Sequence, residues 1–134
     1  MNATTIVRVR DVMHQDYVRA DGLRTVAEGL VLMREHHAQI ILIRKRDADD
    51  EYGMVLLADI ARDVLAPNRA PDRVNLYEIM TKPLIGVRPA MNVRYCARLF
   101  ERYGLAVAPV IDSADEVVGI VSYPDLVLGG FAKP

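Results

Sequence analysis

Apolar positions along the chain follow two alternating rhythms. Val26, Leu30 and Met33 fall at i, i+4 and i+7, which predicts an amphipathic helix, and Val93, Ala97 and Phe100 repeat that spacing. Thr25 and Asn92 stand where each helix needs an N-cap. The helices are expected to end near His36-His37 and Tyr103-Gly104, where Gly104 suits a left-handed C-terminal cap. Unbroken apolar runs follow, Ile40 to Ile43 and Ala106 to Ile111, the pattern of strands covered on both faces. A polar turn then leads to a second strand, Gly53-Met54-Val55-Leu56 or Val117-Val118-Gly119-Ile120-Val121. A final helix begins near Ala58-Asp59 or Pro124-Asp125. Short extended stretches, Tyr17-Val18 and Leu84-Ile85-Gly86-Val87, precede turns at Asp21-Gly22 and Arg88-Pro89.

The chain therefore contains an internal repeat. Asp11-Val12-Met13 recurs as Glu78-Ile79-Met80, an offset of 80 − 13 = 67, and the same offset pairs Val26 with Val93 and Met33 with Phe100. Gly53 pairs with Gly119 and Asp59 with Asp125 at 66, so the first copy holds one extra residue, in the charged turn Arg44 to Glu51. Each copy reads as strand, helix, strand, strand, helix. The polar, proline-bearing segment 66–75 is expected to be a linker without an element of its own. A unit of this size buries little surface alone, so the copies are expected to pack through their sheets.

Composition narrows the function. Seventeen basic and eighteen acidic residues give a net charge of −1, which excludes a nucleic-acid footprint spread over the whole surface. The single cysteine, Cys96, excludes an intrachain disulfide and a thiolate zinc cluster. Arg8, Arg10, Asp11, His14 and Asp16 occupy the place where a signal peptide would need apolar residues. No apolar run approaches the roughly 20 residues of a membrane helix. A soluble, cytoplasmic protein without membrane or nucleic-acid partners is expected.

No phosphate loop or dinucleotide-binding glycine turn is present. Cys96 lies within a helix beside Ala97, with no base pattern to make it a nucleophile. His36 and His37, adjacent on a helix, point about 100° apart and have no third ligand nearby. Neither catalysis nor a metal site is expected. The more informative run is Gly119-Ile120-Val121-Ser122-Tyr123-Pro124-Asp125. A strand glycine admits close approach of a ligand or backbone. Ser122 adds a hydroxyl, and a carboxylate in the first helical turn can accept two bonds from vicinal ribose hydroxyls. Helix capping by Ser122 and Asp125 explains the same residue types by itself, and on this motif alone it is the favoured reading.

The duplicated set of acid-hydrophobe-Met, Val-initiated helix, apolar strand pair and Gly-h-h-Ser/Thr-x-x-Asp, from which the first copy departs at Leu56, resembles a stand-alone pair of CBS domains, the cystathionine-beta-synthase-type module, over residues 9–65 and 76–129. The resemblance implies an α/β (α+β) fold of two β-α-β-β-α repeats packed by pseudo-twofold symmetry. It further implies a non-catalytic regulatory module that takes an adenosine-containing ligand (AMP, ADP, ATP, S-adenosylmethionine or NAD) between the repeats and signals by a conformational shift. Carried over by position, Asp125 would hold the ribose hydroxyls, with Ser122 near the ribose or phosphate. Thr81, Leu84, Ile85, Val107, Ala108 and Pro109 would line the adenine pocket. The first copy keeps Asp59 but has Leu56 in place of Ser122 and Leu42 in place of Pro109, so the second site is expected to be the better one.

Some nucleotide-binding members place His-Arg before the second strand's Pro-Val. Here Ala106 and Val107, or Gln39 and Ile40, occupy those positions, which favours AMP over a triphosphate. A homodimer joined through helices is also implied. Ile60, Val64, Leu65, Leu126, Val127 and Leu128 are the apolar residues that could join it, and an effector protein would read the signal. The competing reading is an interaction or dimerisation module whose ligand sites are vestigial.

Overall fold

The computed structural model describes residues 5–131. The chain runs through α1 (Val9–Val12), β1 (Val18–Ala20), α2 (Val26–His36), β2 (Ile40–Ile43), β3 (Gly53–Leu56) and α3 (Leu57–Ile60). It continues through α4 (Val93–Tyr103), β4 (Val107–Ile111), β5 (Val117–Ser122) and α5 (Tyr123–Gly129). This is a mixed α/β fold of small sheets and short helices.

The chain divides into two compact units. One is Asp16–Leu84; the other joins the described residues up to Gln15 to those from Ile85 onward. The sequence repeat and the compact unit are thus different divisions of the chain. Each unit takes in a segment that lies just before the other repeat's first strand.

In the Asp16–Leu84 unit, β1 lies parallel to β2 and β2 antiparallel to β3, in the order β1-β2-β3. The four residues of β2 are all buried, as an unbroken apolar run requires. Helix α2 starts at a reciprocal cap. The Thr25 side chain accepts from Glu28 N at 3.1 Å, and Glu28 Oε1 accepts from Thr25 N at 2.9 Å. It ends at His37 in the left-handed conformation (φ 52°). Val26 and Met33 from its inner face pack with Ile41, Val55 and Leu76.

The segment read as a bare linker is more ordered than its composition implied. Pro71–Arg73 form a 3-10 turn, and Val74, only 2% exposed, fills the core. The carbonyl of Val74 accepts from Val26 N at 2.8 Å, so a polar, proline-bearing run supplies a partner for the helix's first free amide.

The second unit is built on α4, β4 and β5. Asn92 Oδ1 accepts from Arg94 N at 2.9 Å to start α4, and Gly104 closes it in the left-handed region (φ 64°). Val93, Cys96 and Phe100 are buried with Val9, Val87, Val110 and Val121. The ring of Phe100 meets that of Tyr123 edge to face, with centroids 5.2 Å apart. The extended stretch Leu84-Ile85-Gly86-Val87 does not become a full strand; only Val87 bridges, in parallel, to Val110. Its proline-preceded, glycine-bearing backbone supports one bridge where Val18–Ala20 support three pairings.

The last helices also differ. In the first repeat the turn Leu57–Ile60 widens into a π-helix, Ala61–Leu65, whereas α5 remains α-helical. Of the six helix residues named for a dimer, Ile60, Val64 and Leu126 are buried within their own units. Leu65, Val127 and Leu128 are exposed, at 75%, 52% and 85%. No described helix is long and apolar enough to cross a membrane.

Candidate functional site

The corner between β5 and α5 gathers two polar side chains and one backbone amide on one carboxylate oxygen. Asp125 Oδ2 accepts from Ser122 N at 2.8 Å and from Ser122 Oγ at 2.7 Å. The Nε2 of His14 lies 3.2 Å from the same oxygen. His14 is delivered by the backbone: its N–H donates to Ile120 O and its carbonyl accepts from Ile120 N, both at 2.9 Å. The carboxylate is four-fifths buried, with 20% of its side chain exposed. Asp125 Oδ1 has no partner among the described residues. A carboxylate oriented through one oxygen, with the other open, is prepared to accept hydroxyl donors.

Capping and ligand readings of Ser122 and Asp125 are therefore compatible: one oxygen serves the helix end and the other is spare. Glycine at position 119 has a local reason. A methyl group there would sit 2.8 Å from Met13 Sδ and 3.3 Å from Gln15 Nε2, so the segment carrying His14 needs the missing side chain to approach β5.

The corresponding corner of the first repeat is closed. Asp59 Oδ2 accepts from Leu56 N at 2.8 Å, while Oδ1 accepts from Arg62 at 3.0 Å. With Leu56 in place of Ser122 no hydroxyl is present, and both oxygens are engaged. Asp59 is only 7% exposed. Arg62 also binds Asp63, and Asp63 and Asp59 together raise the guanidinium's already high pKa.

The remaining residues singled out by sequence fall in both units. Thr81 and Leu84 belong to the unit that carries Asp59, where Thr81 exchanges backbone hydrogen bonds with Met54, at 2.9 and 3.1 Å. Ile85, Val107, Ala108 and Pro109 belong to the unit that carries Asp125. There β4 pairs with β5 so that Val107 lies opposite Ser122 and Pro109 opposite Ile120. Ala108 is fully buried, a core residue rather than an exposed wall. His14 escaped the sequence reading because 111 positions separate it from Asp125, and its only local signal was its place after Met13. Cys96 is buried in α4, and burial pushes its thiol up to about 11, away from nucleophilic chemistry. Among the described residues no group of three metal-ligating side chains converges.

Comparison with known proteins adds the following. The CBS domain profile matches residues 76–129. The fold is similar to that of a hexameric CBS-CP12 protein from bloom-forming cyanobacteria, 34% identical, with a TM-score of 0.86, covering 92% of this chain and 72% of that one. It is also similar to a CBS domain pair solved in complex with 5′-methylthioadenosine and S-adenosyl-L-methionine. That pair is 26% identical, with a TM-score of 0.76, and the match covers 94% of this chain and 98% of that one. Among curated sequences, an uncharacterized protein of Methanopyrus kandleri is 28% identical over 120 residues, 90% of this chain. A homoserine O-acetyltransferase of Methanocorpusculum labreanum is 34% identical over 124 residues, 92% of this chain. The chain spans 61% of the first of these and 24% of the second.

Proposed function

The chain belongs to the CBS domain family, and from that premise we propose that it is a non-catalytic regulatory module binding an adenosine-containing ligand through Asp125. The observation that carries this reading is the spare oxygen of Asp125, held in place by Ser122 on the other side. A solved relative, 26% identical, holds two adenosine compounds, which supports an adenosine ligand here. The His-Arg pair is absent, so a ligand with little phosphate charge is favoured, with AMP first and S-adenosylmethionine next. The Asp59 corner, whose carboxylate is taken by Arg62, contributes weakly or not at all. The ligand acts by favouring one arrangement of the chain, which an effector protein reads.

A thermal-shift series with AMP, ADP, ATP, S-adenosylmethionine, NAD and a guanine nucleotide tests this. Ligand at about a hundred times its Kd adds roughly 2.7 kcal/mol, a shift of several degrees for a domain of this size. The expected result is a shift with one adenosine ligand that disappears in Asp125→Ala and persists in Asp59→Ala. No shift with any of them would overturn the reading.

Exposed apolar residues favour a second role beside the first. Ile6, Val127 and Phe131 line a cavity of about 300 Å³ with Val93, Ala97 and Leu126. Ile6, Val127, Leu128 and Phe131 are 49%, 52%, 85% and 79% exposed. Such a patch fits a homodimer, so the expected sedimentation mass is that of a dimer and Val127→Asp lowers it toward the monomer. A concentration-independent monomer mass for the unaltered chain would remove this role.

A further inference from the structure

We infer that the Asp16–Leu84 unit carries a separate site for a small organic monoanion with a flat apolar body, in a cavity of about 270 Å³ beside the ends of β1 and β2. The two strands are parallel, with Ala20 opposite Ile43, so both end together. The turn after β1 contributes Leu23 and the residues after β2 contribute Arg44 and Arg46. A 3-10 turn, Leu76–Glu78, sets Tyr77 against them: Tyr77 N donates to Gly22 O at 3.0 Å. A methyl group at Gly22 would lie 3.2 Å from Tyr77 Cβ, so glycine is what lets the tyrosine sit so close. Ile43, Met80 and half-exposed Tyr77 give the cavity its apolar wall.

Its charge is arranged rather than scattered. Asp50, with 8% of its side chain exposed, accepts Lys82 Nζ at 2.6 Å, Arg46 N at 2.8 Å and Arg46 Nε at 3.3 Å. One buried carboxylate thereby fixes two cations at the rim. Asp21 is occupied locally, its Oδ1 accepting from Leu23 N at 2.9 Å. Among the described residues the guanidinium of Arg44 has no carboxylate partner. Three cations against Asp21 and Asp50 leave one positive charge, which a monoanion such as a carboxylate balances. A flat apolar body would rest on Tyr77 and Met80.

This site is distinct from the aspartate corner of the same unit. Strand β3 begins at Gly53, where a methyl group would lie 2.6 Å from Met80 Sδ, and ends at Leu56, whose N–H binds Asp59. Cavity and carboxylate thus lie at opposite ends of one strand.

The test is a titration of the whole 134-residue, ¹⁵N-labelled chain with benzoate and, separately, with neutral benzamide. Benzoate should shift the amides of Arg44, Arg46, Tyr77 and Lys82 at concentrations where benzamide does not. Arg44→Ala, which removes an exposed side chain without a carboxylate partner, should weaken benzoate about tenfold while leaving the rest of the spectrum intact. Asp125→Ala should leave benzoate binding unchanged, which keeps this result separate from that of the adenosine site. Equal shifts from benzamide, shifts spread over the whole surface, or unaltered binding by Arg44→Ala would each overturn the proposal.

Discussion

Single side chains divide the two aspartate corners. Asp59 and Asp125 occupy equivalent repeat positions and both bind the backbone N–H three residues earlier. What differs is the neighbour: Arg62 on one, Ser122 and His14 on the other. A buried carboxylate with an amide on one oxygen and a guanidinium on the other leaves neither oxygen open to a ribose, whereas Asp125 keeps one oxygen open. Elsewhere, carboxylates hold turns. Lys82, then the Arg46 amide, keeps Asp50 well below the usual carboxylate range. The Thr25 amide lowers Glu28, and Arg62 lowers Asp63. A carboxyl whose pKa is lower folded than unfolded contributes stability above its unfolded value and loses it as pH falls through the folded one. The urea midpoint should therefore fall as pH drops from 5 to 3, and fall less in Asp50→Asn. An equal drop in both proteins would sink this assignment.

At the scale of elements, α2 and α4 were legible because the helix period, the N-cap residue and the left-handed terminus all sit within a dozen positions. Thr25→Ala should cost about 1 kcal/mol, because Glu28 N loses its acceptor. Phe100→Ala, at a fully buried position, should cost about 3–5 kcal/mol. Chemical denaturation measures both, and the ordering matters: a cap loss equal to the core loss would contradict the packing described here. The strand before α4 was overread, since hydrophobicity alone does not distinguish three backbone pairings from one. Conversely, Val74 was underread. Its polar neighbours conceal one apolar side chain that only the folded unit uses.

The whole chain mixes its repeats. The described residues up to Gln15 pack with those from Ile85, and Leu76 and Ile79 belong to the core around Val26 and Ile41. Val9 likewise sits in the core of Phe100 and Val121. A fragment cut at the sequence repeat, residues 9–65, therefore leaves the Val74, Leu76 and Ile79 places empty. A fragment of residues 16–84 keeps them. The expected outcome is that 16–84 shows more protected amides in hydrogen exchange than 9–65; comparable protection would show that the segments exchanged between repeats add little to either core.

By itself the sequence determined the repeat, both long helices, the buried strands and the Ser122–Asp125 corner, because those features rest on periodicity and on contacts within a few residues. The tertiary structure decided which segments complete each core. It also brought His14 to Asp125 and gathered Arg44, Arg46 and Lys82 around one cavity. These are meetings between residues near and far along the chain, chosen by backbone register and side-chain direction, and a linear pattern carries neither.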